Sequence, residues 1–408
     1  MKSCMITCLL IALFLSACGV STPEASPTAL EIPASSTPVT PTSTVTLIPT
    51  PTETETPIST ATITSTPLPI EYGPENFPIG VNPLTGLVVT DAKLLERRPV
   101  AVKINLVPRS SNRPPWGVSF ADIVFDYYHN DGYSRLFAIF YGQDADLAGP
   151  IRSGRLLDSD LVQMYKTIFA YGSADQLIND RLLNAHYSAQ LILEGQRAAC
   201  PPTASAPLCR FDPQGYDFLL ASTSALSEYA TGQQVTNGRQ DVSGMFFAAA
   251  APTGGKPGNI STVRYSGDDY VRWEYHAASG TYLRMQDNQY DQGEGEAYAP
   301  LTDRLNNEQV KAENVVILIA PHNFYQQPPN EIVEVLLSGT GTAYAFRDGQ
   351  VYQLSWNRPT VSSVLYLTYP DGTRYPYKPG KTWYQVVGLN TLMTETEASA
   401  WRFEHRMP

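Results

Sequence analysis

Between Gly19 and Ile70 the chain is built from Thr, Pro and Ser with scattered Ala, Val, Ile and Glu, as in Pro38-Val39-Thr40-Pro41-Thr42-Ser43-Thr44, and this stretch limits what the rest can form. Proline removes amide donors, and too few large apolar groups are present to offset the entropy of ordering a backbone. No packed element is expected there. The segment 19–71 reads instead as a semi-extended tether. Its reach is up to ~160 Å at roughly 3.1 Å per residue if wholly polyproline-like, and about a quarter of that as a flexible coil. Its Ser and Thr hydroxyls are acceptors for O-glycosylation, while the composition is that of an unmodified linker.

What precedes the tether is short. Lys2 leads into an apolar run from Met5 to Leu15, closed by Leu15-Ser16-Ala17-Cys18. A helix crossing a hydrocarbon core needs about 20 apolar residues. This run is too brief, and small residues ahead of a cysteine read as a cleavage site. Leu-Ser-Ala-Cys resembles the lipobox of bacterial lipoproteins, in which the cysteine receives fatty chains such as palmitate and becomes the first mature residue. By that resemblance residues 1–18 are a signal peptide, Cys18 is the lipidation site, and the lipid bilayer is the first partner. The implied address is extracytoplasmic, anchored to the cell membrane. Two acyl chains suffice for stable anchoring, since burial contributes about 0.8 kcal/mol per methylene group.

Beyond the tether the composition is globular and long enough for a sizeable core and more than one domain. From Glu71 onward 27 basic residues face 35 acidic ones, with no basic run of the kind that follows a nucleic-acid backbone. Nucleic acid is therefore not an expected partner. Cys4 and Cys8 leave with the signal and Cys18 is consumed by lipid, so Cys200 and Cys209 remain. In an exported protein they read as a disulfide closing a short proline-rich loop, a local staple of roughly 2–3 kcal/mol, with two free thiols as the other reading.

Strand patterns come first. Arg98 to Asn105 alternates, Ala121 to Tyr128 follows, and Ser134 to Tyr141 is again strand-like, with Asn130-Asp131-Gly132 as hairpin turn chemistry. Helical spacing then appears in Leu156, Leu157, Leu161, Val162 and Tyr165, and from Ala174 to Leu183 behind a cap at Ser173. From about Ile260 short strands rich in Val, Tyr and Trp alternate with Gly and Asp turns: 263–265, 270–275, 281–285, 315–319, 332–337, 342–346 and 351–356, with further hairpins at Asp348-Gly349 and Pro370-Asp371-Gly372. The expected fold class is α+β. A mixed α/β domain with a sheet and helices occupies 72–254, and a mostly antiparallel β domain occupies 255–408, divided at the loop Gly254-Gly255-Lys256-Pro257-Gly258.

Several blocks carry a more specific likeness. Asn82-Pro83-Leu84-Thr85-Gly86-Leu87, Arg98-Pro99-Val100-Ala101-Val102, Ala121-Asp122-Ile123-Val124 and Gly149-Pro150-Ile151-Arg152-Ser153-Gly154-Arg155 stand in the first part. Asn314-Val315-Val316, the stretch from Gly339 to Ala343, and Pro379-Gly380-Lys381-Thr382-Trp383 stand in the second. Together they resemble the YerB-like family, bacterial lipoproteins that carry a domain of unknown function numbered 3048, over nearly the whole folded region. The resemblance implies architecture and address far more than activity. Where that family has a Glu-Gly-Gly turn before Thr-Arg, this chain has Asn130-Asp131-Gly132 and then Ser134-Arg135, so the likeness does not extend to that glutamate.

For chemistry, the sharpest feature is Gly149 to Arg155 leading into a helix. Arg152 and Arg155, with Ser153 between them and free amides at a helix start, form a candidate anion-binding site, because guanidinium forks grip carboxylate or phosphate at two points and the helix dipole adds to this. The plainer reading is that both arginines pair with Asp126, Asp158 or Asp160 and merely fix a loop. Asp126, His129, Asp131 and Arg135 at the hairpin form a candidate polar cluster for acid–base or metal work, against the plainer reading of turn residues facing water. Nucleophile-elbow, zincin-helix, phosphate-loop and paired-cysteine motifs are missing. The five histidines have no ligand spacing, and the neighbours Asp268 and Asp269 point to opposite faces of a strand. No cofactor, metal or catalytic residue is assigned. Tyr265, Tyr270, Trp273, Tyr275, Tyr282 and Trp383 could stack on sugars or a partner, but in a β domain they read first as cross-strand packing.

The expected function is that of a non-enzymatic envelope binding or scaffold protein, for a wall polymer or another envelope protein. The alternative is a hydrolase acting on envelope glycans or peptides through dispersed carboxylates, which requires two acidic side chains in one cleft.

Overall fold

In the computed structural model, residues 71–212 and 218–408 are described. Cys18, the signal segment and the tether as far as Ile70 lie outside them, while Glu71, expected at the end of the tether, pairs antiparallel with Ala248 in a short strand with Tyr72. The strand patterns of the first part form as expected: β1 at Val100–Ile104, β2 at Ile123–Asn130 and β3 at Tyr133–Phe140. Between β2 and β3, Asp131 and Gly132 take φ of 53° and 84°, the pair of positive values that a two-residue turn needs to match strand twist. β2 and β3 pair antiparallel with Phe125 opposite Phe137 and Tyr127 opposite Arg135, and β3 pairs with β1 so that Phe137 faces Lys103. Directly opposed residues share a face. Phe125, Tyr127, Arg135, Phe137 and Lys103 therefore line one side of the sheet, and Asp126 lies on the other.

The helix α1 at Leu156–Tyr165 covers the first side, with Tyr165 packed on Phe125 at 5.8 Å between ring centroids. Helix α2 spans Gln176–Leu183. Its cap is Asp175, not the expected Ser173: the Asp175 carboxylate accepts the Leu177 amide at 2.9 Å, while Ser173 sits two residues earlier and offers its carbonyl to Gly154. Helix α3 at Thr223–Gly232 packs on β1 and on β4, Ile168–Tyr171.

In the second part β6 at Ile260–Arg264, β7 at Tyr270–His276 and β8 at Thr281–Asp287 form an antiparallel meander, after the short β5 at Leu191–Leu193. There follow β9 at Asn314–Ala320, β10 at Gly339–Arg347 and β11 at Gln350–Arg358, the last two joined by a turn with Asp348 and Gly349 at φ of 52° and 72°. Among the strands that had no expectation are β12 at Thr382–Gly388 and β13 at Ala400–Glu404. All seven residues of β12 are buried. It pairs parallel with both β9 and β2, so the run β11-β10-β9-β12-β2-β3-β1-β4-β5 is continuous within one eleven-stranded sheet. A strand buried on both faces carries no polar alternation to announce it. The expected loop at 254–258 is only partly loop, because Lys256 and Pro257 pair antiparallel with Val351 and Gln350 at the edge of the central sheet, which draws its strands from both sides of this stretch.

The meander belongs to a second, seven-stranded sheet in which β13 pairs parallel with β6, so the second part is not antiparallel throughout. The two sheets meet across a buried ion pair, Arg284 of β8 to Asp126 of β2 at 2.8 Å, with side chains 1% and 0% exposed. Arg284 lies over the rings of Trp383 and Trp273 at 4.4 and 5.4 Å, and those indoles meet edge to face at 5.1 Å. In the orientation that satisfies both its ends, the Gln385 amide donates to Asp126 and accepts from Arg284 and both indoles, each at 3.2 Å. Trp273 and Trp383 are therefore packing residues. Removing one partner of such a pair strands a buried charge, which costs about 3–5 kcal/mol. Arg284→Met is expected to lower the unfolding free energy in urea by that amount, and Asp126→Leu with Arg284→Met to recover most of it.

Candidate functional site

The Gly149 to Arg155 block runs beside the end of β1. Asn105 donates its amide to the Pro150 carbonyl at 3.0 Å, Arg152 donates its amide to the Lys103 carbonyl at 3.1 Å, and Ile104 bridges Ile151. This extension lays Arg152, Ser153 and Arg155 against the end of β2 and the start of β3. A cavity of about 300 Å³ opens there, walled by Asn105, Val107, His129, Asn130, Asp131, Tyr133, Arg135, Arg152, Ser153 and Arg155. Two candidate groups that sequence treated separately, the arginine block and the hairpin cluster, thus share one pocket. Asp126 is the exception, held on the other face of the sheet by Arg284.

The three acids expected to pair with Arg152 and Arg155 each hold another cation. Asp126 pairs with Arg284, Asp160 with Arg358 at 2.8 Å, and Asp158 with Lys103 at 3.0 Å. Among the described residues Arg135 and Arg155 form no ion pair. Arg135 Nη1 donates to the Ser153 carbonyl at 3.1 Å, and its Nε is buried with no hydrogen-bond partner. Arg155 donates to the Gly154 carbonyl at 2.8 Å and approaches His129 Nδ1 at 3.3 Å. Burial, followed by the fields of Arg155 and Arg152, drives the Arg135 guanidinium well below its ordinary affinity for a proton. His129 is likewise pushed well down, by burial and then by Arg135 and Arg155, so the ring stays neutral and its Nδ1 accepts from Arg155.

The helix start contributes less than its sequence suggested. Asp158 turns back to accept the Arg155 amide at 2.7 Å, so the protein's own carboxylate occupies the amino end of α1. The same carboxylate ends a chain in which Lys103 donates to the Tyr127 hydroxyl and Tyr127 donates to Asp158. Lys103 is fully buried, and burial brings its ammonium down to about 7 against the pull of Asp158, with Arg135 and Arg155 lowering it further. Lys103 and Tyr127 were missed in the sequence because each stood as one residue in an alternating strand, and only the register β2-β3-β1 brings them together.

Cys200 and Cys209 are joined by a disulfide, Cα atoms 4.8 Å apart, on the short strand pair 197–199 and 208–210. Asp269 is 3% exposed, accepts the Ser134 amide at 2.6 Å and is pushed up to about 7 by burial, then by Asp287 and Asp126. Asp287 is held by Arg109 and Arg113. These carboxyls serve the contact between the sheets.

Residues 84–208 match the N-terminal domain of DUF3048, described as a protein of unknown function, and residues 261–384 match its C-terminal domain. The chain is 28% identical over 316 residues to the Bacillus subtilis (strain 168) protein named "Putative lipoprotein YerB", an alignment covering 75% of this chain and 85% of that one. A crystal structure of YerB protein from Bacillus subtilis shares the fold with a TM-score of 0.60 at 24% identity, over 75% of this chain and 96% of that chain.

Because Lys103 in the folded protein loses its proton near 7 while an unfolded lysine holds it to about 10.4, the unfolded chain binds the extra proton between those values and stability rises with pH across them. In urea denaturation from pH 7 to 9.5, below tyrosine ionisation, the wild-type protein should gain stability relative to Lys103→Met. A pH-independent difference would mean that Lys103 keeps an ordinary proton affinity.

Proposed function

The chain belongs to the DUF3048 family, and on that footing we propose that it is a membrane-anchored extracytoplasmic lipoprotein that binds an anionic envelope ligand without transforming it. One observation carries the binding role: Arg135 and Arg155 face a cavity and have no carboxylate of the protein's own to neutralise them. Buried charge is ordinarily paired, and guanidinium forks suit carboxylate and phosphate oxygens. The anchoring role draws on the Leu15-Ser16-Ala17-Cys18 sequence and on the name of the Bacillus subtilis relative.

Wall polymers and envelope proteins both carry such anionic groups, and the tether lets the domain meet them away from the bilayer. Each charge-assisted hydrogen bond is worth about 1.5–3 kcal/mol, so Arg152→Ala with Arg155→Ala should weaken cosedimentation with purified anionic wall polymer at least tenfold by the arithmetic of binding energies. The melting temperature should stay nearly unchanged. A collapse of stability in that variant would return both arginines to a loop-fixing role. Incubation with purified wall should release no soluble fragments; fragments would favour the hydrolase reading. Cys18→Ser should abolish labelling by radioactive fatty acid, and persistent labelling would remove the anchor.

A further inference from the structure

The pocket has a charge requirement as well as a location. Both half-buried guanidiniums spend their bonds on neutral acceptors: Arg135 on the Ser153 carbonyl, Arg155 on the Gly154 carbonyl and the His129 ring. Beneath them Lys103 donates to Asp158 at 3.0 Å, and below pH 7, where Lys103 keeps its proton, the two charges cancel. Asp131 stands exposed at the rim, where water screens it, and its carboxylate accepts from Asn130. Of the three arginines that wall the cavity, Arg135 and Arg155 therefore have no counter-charge in an ion pair among the described residues, and the Arg135 Nε is buried with no hydrogen-bond partner.

We infer that the pocket takes a terminal phosphoryl group, a phosphate monoester or pyrophosphate, in preference to a carboxylate or a phosphodiester. This rests on the anion-binding reading above and narrows it. A phosphate monoester brings about −1.5 to −2 charges at pH 7 and three acceptor oxygens, which matches two guanidiniums. A carboxylate or a diester brings one charge and leaves the second guanidinium uncompensated. Size agrees. The cavity of about 300 Å³ equals roughly ten liquid-water volumes at ~30 Å³ each, room for a phosphoryl group and for a second phosphate or the first unit of its carrier.

The test is calorimetric titration of the full chain at pH 6.5, where Lys103 is protonated, and fixed ionic strength with methyl phosphate, dimethyl phosphate, pyrophosphate and acetate. Methyl phosphate and pyrophosphate are expected to bind at least tenfold more tightly than dimethyl phosphate and acetate, and Arg135→Gln and Arg155→Gln each to remove that margin. Neither variant should lose thermal stability, since each relieves a repulsion, and two separate positions guard against one failing to fold. Equal affinity for all four probes would overturn the phosphoryl preference while leaving an anion site. No binding of any probe would overturn both. A margin that survives both substitutions would place the site elsewhere and overturn the inference. Octyl phosphate then separates the sources: tenfold tighter binding than methyl phosphate assigns a lipid-borne group, and equal binding assigns a soluble or polymer-borne one, the phosphoryl preference standing in both cases.

Discussion

The arginine at position 284 fixes how the two principal sheets can meet. Moving a guanidinium and a carboxylate out of water costs several kcal/mol per ion, and their attraction offsets that only with good geometry and further hydrogen bonds. Here the geometry is complete: Asp126 faces Arg284, the Gln385 amide bridges the two, and Trp273 and Trp383 present their ring faces to the cation. Gln286 extends the layer, accepting from Arg284 at 2.6 Å and donating to Asp287 at 2.6 Å and Asp269 at 3.3 Å. Any slip of one sheet over the other would leave several of these groups buried and unpartnered. That layer also shapes the pocket. Asp287 holds Arg109 and Arg113 and so anchors the turn that follows Val107, while Asp269 holds the amide of Ser134, next to Arg135.

Strand β2 serves two chemistries on two faces. Asp126 and Tyr128 point toward the seven-stranded sheet and the buried layer, while Tyr127 and His129 point toward α1 and the pocket, as a two-residue period requires. On the structural side each buried cation has an acid close by: Arg284 has Asp126, Arg347 has Asp348, and Arg358 has Asp160. On the pocket side Arg135 and Arg155 have carbonyls and a neutral imidazole. The fully buried cations each meet an acid, whereas Arg135 and Arg155, half-buried, meet none among the described residues and face a cavity.

How much of this was legible depends on whether the signal was local. Asp131-Gly132 announces its hairpin because the turn needs positive φ at both positions, and the α1 pattern of Leu156, Leu157, Leu161, Val162 and Tyr165 matches one buried face. β12 was not legible, since Thr382 to Gly388 is buried on both sides and its partners β9 and β2 lie far off in sequence. Its absence hid the continuity of the central sheet across the loop at 254–255. The pocket was half legible. Arg152, Ser153 and Arg155 stood out as a block and His129, Asp131 and Arg135 as a hairpin, yet joining them required the contact of Arg152 with Lys103, and excluding Asp126 required knowing which way β2 faces. The amino end of α1 misled, because a helix start advertises free amides and Asp158, three residues on, had already taken one.

The balance of charge over the folded part bears on what can reach the pocket. From Glu71 onward acidic residues outnumber basic ones by 35 to 27, so the surface repels a polyanion laid along it. At physiological ionic strength that repulsion is confined to about 8 Å, the screening length, while charges in a partly buried cavity are screened much less. A small anion, or the charged end of a longer molecule, can pass a weakly repulsive rim and find two guanidiniums inside. A long anionic chain gains the same contacts at one point and meets repulsion along the rest of its length. An acidic body around a cationic hollow therefore discriminates by where on a ligand the charge sits, and favours a terminus over a backbone.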